Sequence, residues 1–292
     1  PYPMKANCPK RLRCVREDGV ALAIVVWFIA GMSLLVAGII SHVRVDTRMT
    51  QLHVARAQAA SAGDGAIQLM LAGLVSRRRD EADGFLPVAV HRLGSLDVEV
   101  TLVPAQGLID INRAPQIVLA GLFRLAGALD ATEAQTVADN VVRWRQVQPA
   151  QEEGKFLTRH FVALEDMLRV DGVTRMLIEA VRDYVVVGLG SQRGTNFSAA
   201  PAAVLEVLRE ANLQQAEQLL RQREQEGDPG SRGLARAASA APGGMLRADA
   251  VVRYGDQFWL RRRWVVLETE WGSSLPWRFQ RTEAPRVVEL SN

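Results

Sequence analysis

The first feature along the chain is an unbroken apolar run. Residues 20–40 (VALAIVVWFIAGMSLLVAGII) are 21 positions without a charge. As a helix they span ~31 Å, close to the hydrocarbon thickness of a bilayer. A cleaved secretory signal has an apolar core of only ~7–15 residues and then a small-residue cleavage site. Here the run is longer and no such site follows it. The pattern therefore predicts a membrane-inserted helix. Lys5, Lys10, Arg11, Arg13 and Arg16 precede it. The positive-inside rule leaves residues 1–19 in the cytoplasm and sends everything after Ile40 across.

Beyond the run the pattern becomes one-sided. There is no proline from Ser41 to Arg78, and Val45, Met49, Leu52, Ala55, Ala59, Ala62, Ala66 and Met70 recur at steps of three or four. That is one helical face, and it needs something packed against it. Residues 20–78 read as one helix of ~88 Å, weakened in its middle by Gly63 and Gly65. LPVAV and LDVEVTLV, separated by Gly94-Ser95, then predict two strands within 79–106. Residues 107–226 read as helices joined by short turns. Residues 227–245 begin with GDPGSRGLARAASAAPGG and read as a flexible linker. From 246 to 292, AVVRY, QFWLRRRWVVLETEW, PWRFQRT and PRVVEL read as strands again.

Charge sharpens this division. The whole chain of 292 residues has 35 basic and 32 acidic residues. The first 19 hold five basic and two acidic ones, so the rest has 30 of each and no net charge. The pI of 9.2 therefore belongs to the N-terminus, which argues against bulk positive charge gripping nucleic acid. Cys8 and Cys14 lie in the same segment. Once it is removed, cysteine usage says nothing about redox compartment.

Two stretches of the helical block share a pattern. GLIDINRAPQIVLAGLF (107–123) and GTNFSAAPAAVLEVL (194–208) align on Ala114-Pro115 and Ala200-Pro201. Each has a polar pair upstream, Asp110/Asn112 and Asn196/Ser198, and a Val-Leu pair downstream. Asn and Ser cap helix N-termini, and proline is tolerated in a first turn because its missing N–H has no partner there. These six residues are expected to be structural caps. Between the copies, Leu168-Arg169-Val170-Asp171-Gly172-Val173-Thr174 resembles a helix-hairpin-helix turn. Such turns can bind DNA phosphate, but Asp171 beside the glycine is a poor neighbour for one, so the turn reads as packing.

A leader ending in Gly19, followed by Val20-Ala21-Leu22 and the charge-free helix, resembles the class III signal of type IV pilins and pseudopilins. The resemblance implies cleavage by a prepilin peptidase between Gly19 and Val20 and methylation of the new N-terminus. Met4 is the candidate initiator. Most such subunits carry glutamate at the fifth mature position; here it is Ile24. A carboxylate in a bilayer or fibre core needs a partner, in that family the terminal amine of the subunit above. Its loss suits a subunit at a tip, or a degenerate pilin.

Together with GLIDINRAP, the LRVDGVT turn and the interrupted strand pattern, these features are similar to the K family of type II secretion minor pseudopilins. The resemblance implies an α+β fold: a pilin-like long N-terminal helix packed on a small antiparallel sheet, with a large all-α insertion domain. It implies a non-enzymatic, single-pass inner-membrane protein with its C-terminal domain in the periplasm. It would sit at the pseudopilus tip, helping initiate assembly and export of folded proteins. Its partners would be minor pseudopilins of the I, J and H types, the prepilin peptidase and the inner-membrane platform, and also the secreted cargo or the secretin; no nucleic acid is implied. Packing with partner helices would use Ile24, Val45, Met49, Leu52, Ala55 and Ala59. No cofactor is required, and calcium enters through the resemblance alone. Asp110, Glu152, Glu153 and Asp171 are oxygen-ligand candidates, but their spacing forms no recognisable loop.

Departures from the family pattern are Ser198 in place of asparagine, no aspartate after Trp144, and a short loop from Val147 to Phe161. There is no GxxxxGK[ST], HExxH or GxSxG. His42, His53, His91 and His160 form no i, i+4 pair. Trp259, Trp264, Trp271 and Trp277 read as sheet packing. The competing functions are a minor pilin of a type IV pilus, for adhesion or DNA uptake, and a membrane-anchored periplasmic hydrolase.

Overall fold

The computed structural model describes residues 18–77, 88–146, 160–188, 194–226, 244–268 and 275–289. The basic leader to residue 17, most of the linker, Glu152, Glu153 and Trp271 lie outside the described residues. The chain divides into two compact units, Pro1–Ala55 and Arg56–Asn292. Helix α1 (Asp18–Arg77) contributes to both.

In the first unit, Leu22–Ile40 has a mean hydropathy of 2.5 and is wholly exposed. Among the described residues this is one helix long and apolar enough to cross a membrane. The hydroxyl of Ser33 donates to the Ile29 carbonyl at 2.8 Å. The helix thus satisfies that polar group internally, as a lipid environment requires.

The second unit is built on an antiparallel sheet. Strands β1 (Val88–Leu93) and β2 (Leu96–Pro104) form a hairpin. Strands β5 (Met245–Tyr254), β6 (Gln257–Val266), β7 (Arg278–Thr282) and β8 (Arg286–Val288) come from the far end of the chain. The order is β1-β2-β5-β6-β7, with β8 also on β6. The linker expected to reach residue 245 ends one residue earlier, because Met245 already pairs with Val266.

Register assigns the two faces. Val100 stands opposite Ala250, which stands opposite Arg261. That face meets residues 59–74 of α1, where Ala59, Ala66, Ile67 and Leu71 are fully buried. Gly63 marks the closest approach: a Cβ there would lie 2.7 Å from Arg261 Cβ. The glycine expected to weaken the helix instead lets it close on the sheet. Beside it, Asp64 receives two hydrogen bonds from Arg261, both at 2.9 Å.

The other face, carrying Val103, Arg247, Asp249, Arg262 and Trp264, meets a helical region inserted between β2 and β5. Its helices are α2 (Gln116–Leu125), α3 (Ala131–Gln146), α4 (Arg175–Val181), α5 (Ala202–Ala211) and α6 (Leu213–Glu226), with short 3-10 turns between them. They share one core that includes Leu119, Phe123, Val141, Met167, Ile178 and Leu208. The region is not all-α as expected. β3 (Ile109–Asp110) pairs in parallel with β4 (Val185–Val186). Two residues per strand are too few to leave a period in the sequence, and at ~3.3 Å per residue each strand is only about 7 Å long.

Candidate functional site

The proposed processing junction, Gly19-Val20, has helical backbone at the start of α1. Ile24 is 64% exposed. Val45 lies in α1, but its side chain is outside the described set. Above it the stripe divides. Met49 and Leu52 are exposed at 55% and 48%, whereas Ala55 and Ala59 are buried at 6% and 0%. The expectation that Ala55 and Ala59 face a partner helix is therefore corrected. Ala59 belongs to the face that closes on this chain's own sheet, whose small side chains permit the close approach at Gly63. Periodicity finds an apolar face without saying what covers it.

The Ala-Pro copies form two knots. In the first, the Asp110 carboxylate accepts the Asn112 N–H at 2.9 Å, and the Asp110 N–H donates to Thr195 Oγ1 at 3.1 Å. The Asn112 amide does not cap α2. It reaches across to Phe161, donating to its carbonyl at 3.0 Å and accepting its N–H at 2.8 Å. Phe161 in turn stacks on Trp144, with ring centroids 4.2 Å apart. Pro115 holds the N-cap position itself, in an extended conformation with no side-chain cap bond; its ring fixes φ and its missing N–H loses no partner there.

The second knot is built alike. Asn196 accepts the Ser198 N–H at 3.1 Å and so caps a 3-10 turn (Phe197–Ala199) that contains Ser198. Pro201 precedes α5 as Pro115 precedes α2. Asn112 and Ser198 are thus corrected as helix caps, while Asn196 caps a shorter turn.

Sequence reasoning missed the residues that tie these knots. Arg145 of α3 donates to the carbonyls of Ile111 (2.8 Å) and Ala114 (3.0 Å). Arg223 of α6 donates to Phe197 (2.8 Å), Ser198 (2.9 Å) and Ala200 (2.9 Å). Each guanidinium binds the carbonyl just before the proline of its copy. The repeat therefore extends beyond the Ala-Pro motifs to a helix pair and a clamping arginine. The signal was present as an arginine near the end of the second helix, but the separations from proline differ between the copies.

Burial pushes the Asp110 carboxyl above its ordinary range, against the Asn112 N–H bond and the charges of Arg113, Arg145 and His160. A carboxylate ringed by cations is a poor ligand for another cation. The described residues contain no group of three His, Cys, Asp or Glu side chains that could hold a metal ion. The hairpin turn is likewise committed to packing. Gly172 has φ +86°, and a Cβ there would lie 2.9 Å from Val137 Cγ2. Asn140 donates to the Asp171 carbonyl at 3.0 Å, and Thr174 caps α4 by accepting the Leu177 N–H.

A cavity of about 460 Å³ lies where the β3–β4 ribbon meets the sheet, bordered by Asp110, His160, Arg182, Val185, Trp264 and Glu283.

No protein-family model matches the sequence, and no curated protein matches it either. Among solved structures, the chain is similar to one in the crystal structure of the GspK-GspI-GspJ complex from the enterotoxigenic Escherichia coli type 2 secretion system. The identity is 14% and the TM-score 0.47, over 84% of this chain and 99% of that one.

Proposed function

We propose that the chain is a minor pseudopilin of a type II secretion system, placed at the tip of the pseudopilus and acting in its assembly rather than as an enzyme. The observation that carries this reading is the division of labour within α1. Its Leu22–Ile40 stretch is apolar and bare, while one face of residues 59–74, including Ala59, Ala66, Ile67 and Leu71, is buried against the antiparallel sheet. An apolar segment that its own protein leaves uncovered belongs in lipid or among other apolar helices.

Two features support the tip position. Ile24 offers no carboxylate to the amine of a later subunit. The inserted helical region adds bulk beyond what the helix and sheet need. On this reading the exposed Met49 and Leu52 meet helices of I-, J- and H-type pseudopilins. The prepilin peptidase, the inner-membrane platform, and the cargo or the secretin complete the set of partners.

The test is mass spectrometry of the N-terminus of membrane-extracted protein. The expected species begins at methylated Val20. An intact leader, or cleavage beyond Ile40, would overturn the reading.

A further inference from the structure

The seam between the helical region and the sheet is charged where a core would be apolar. On the sheet side, Arg247 and Arg262 are only 6% and 3% exposed. Against them stands the turn after α4, with Arg182 and Asp183 in succession. The Asp183 carboxylate accepts from Arg262 at 2.7 Å and from Arg286 at 2.6 Å, and its carbonyl accepts from Arg247 at 2.7 Å. Arg182, held on its own side by Glu179 and Glu165, lies 3.9 Å from Glu283 of the sheet side. The other oxygen of Glu283 accepts the Trp264 indole N–H at 3.2 Å. One positive and one negative side chain of the helical region thus mate with the opposite signs on the sheet.

Arg262 is buried and also paired with Asp249 of its own sheet, whereas Asp183 is 48% and Arg286 33% exposed, so the pairs across the seam add little net stability and act mainly on geometry. The helical region has its own core, to which the strands add Val103 and Trp264 with Met245 against it. The cavity of about 460 Å³ lies beside Arg182, Trp264 and Glu283. Close-packed interiors resist relative movement, and an unfilled seam removes part of that resistance.

We propose that the helical region is hinged on the sheet and latched by the Arg182–Asp183 pair, so that breaking the latch lets it swing open at the cavity without unfolding either part. This inference stands on the second unit alone and does not depend on the proposed function.

The test is a spin-label distance measurement on the full chain in detergent. Cys8 and Cys14 are replaced by serine, and labels are placed at Gln214→Cys and Gln257→Cys, both exposed positions. The unaltered latch gives one dominant distance with a minor longer-distance population. Asp183→Asn and the milder Arg286→Ala are each expected to raise a longer-distance population roughly threefold, the scale of one lost half-exposed ion pair, with helical circular dichroism retained. An unchanged distance in both variants would overturn the latch. Loss of the helical signal in both would overturn the hinge, because the network would then be holding the fold itself. If Asp183→Asn alone loses the signal, Arg286→Ala decides.

Discussion

Arg223 places one guanidinium against three carbonyls at 2.8–2.9 Å. All three converge on one nitrogen, Nη2, whose two hydrogens they share. Arg223→Ala takes this donor from all three carbonyls and is therefore expected to cost about 1–3 kcal/mol, read as a lower midpoint in thermal unfolding followed by circular dichroism. Asp110 behaves in the opposite sense. Its folded carboxyl is raised by burial, so its contribution is full below the ordinary carboxylate range and is lost as pH rises through the raised value. Asp110→Asn keeps an oxygen for the Asn112 N–H and removes the buried charge. Its melting midpoint at pH 7 should equal or exceed that of the unaltered chain, and the gain should vanish in acid. Asp110→Ala, which leaves that N–H unpaired, should lower the midpoint at both pH values.

At the scale of elements, α1 carries two different apolar surfaces on one periodic stripe. Leu52 is half exposed and Ala59 is fully buried, so charged substitution separates their roles. Leu52→Glu should leave the melting midpoint within a degree or two, because surface changes usually stay within about 0.5 kcal/mol. On the proposed function it should abolish co-purification with minor pseudopilins. Ala59→Glu forces a carboxylate and its extra volume between helix and sheet, at a cost of about 3 kcal/mol or more. It should lower the yield of folded protein before any partner is tested. Equal effects on stability would show that the stripe is not divided. The sequence made the stripe legible because apolar positions three and four apart must share a helical face. It could not divide the stripe, because Ala55, Ala59 and Met49 obey the same period whether sheet or partner lies opposite.

At the scale of the whole molecule, acid is expected to loosen the seam before it unfolds the cores. Burial pushes the Asp183 carboxyl up, but the charges and hydrogen bonds of Arg262 and Arg286 outweigh it and hold it below the ordinary carboxylate range. Stability from this group is thus present above the ordinary value and lost as pH falls through the lowered one. Groups facing the same seam are Arg182, Arg247, Asp249 and Glu283. Acid titration of Trp264 fluorescence, in a chain whose other tryptophans are replaced by phenylalanine, should show a transition at higher pH than the loss of helical circular dichroism. A single coincident transition would contradict it.

The sequence by itself determined what local chemistry determines. A charge-free run of 21 residues must form an apolar helix. Alternating Val and Leu runs around Gly94-Ser95 must form a hairpin. Ala-Pro preceded by short polar residues must mark the entry to a helix. Each follows from neighbours a few positions apart. Tertiary structure decided which partners those pieces take. Asn112 found Phe161, 49 residues away, in place of its own helix. Asp64 found Arg261, 197 residues away, through a gap that Gly63 leaves open. Arg247 and Arg262 turned one sheet face into a charged seam. Hydrogen bonds and ion pairs select partners by distance and direction in space, and a sequence pattern carries neither until the chain has folded.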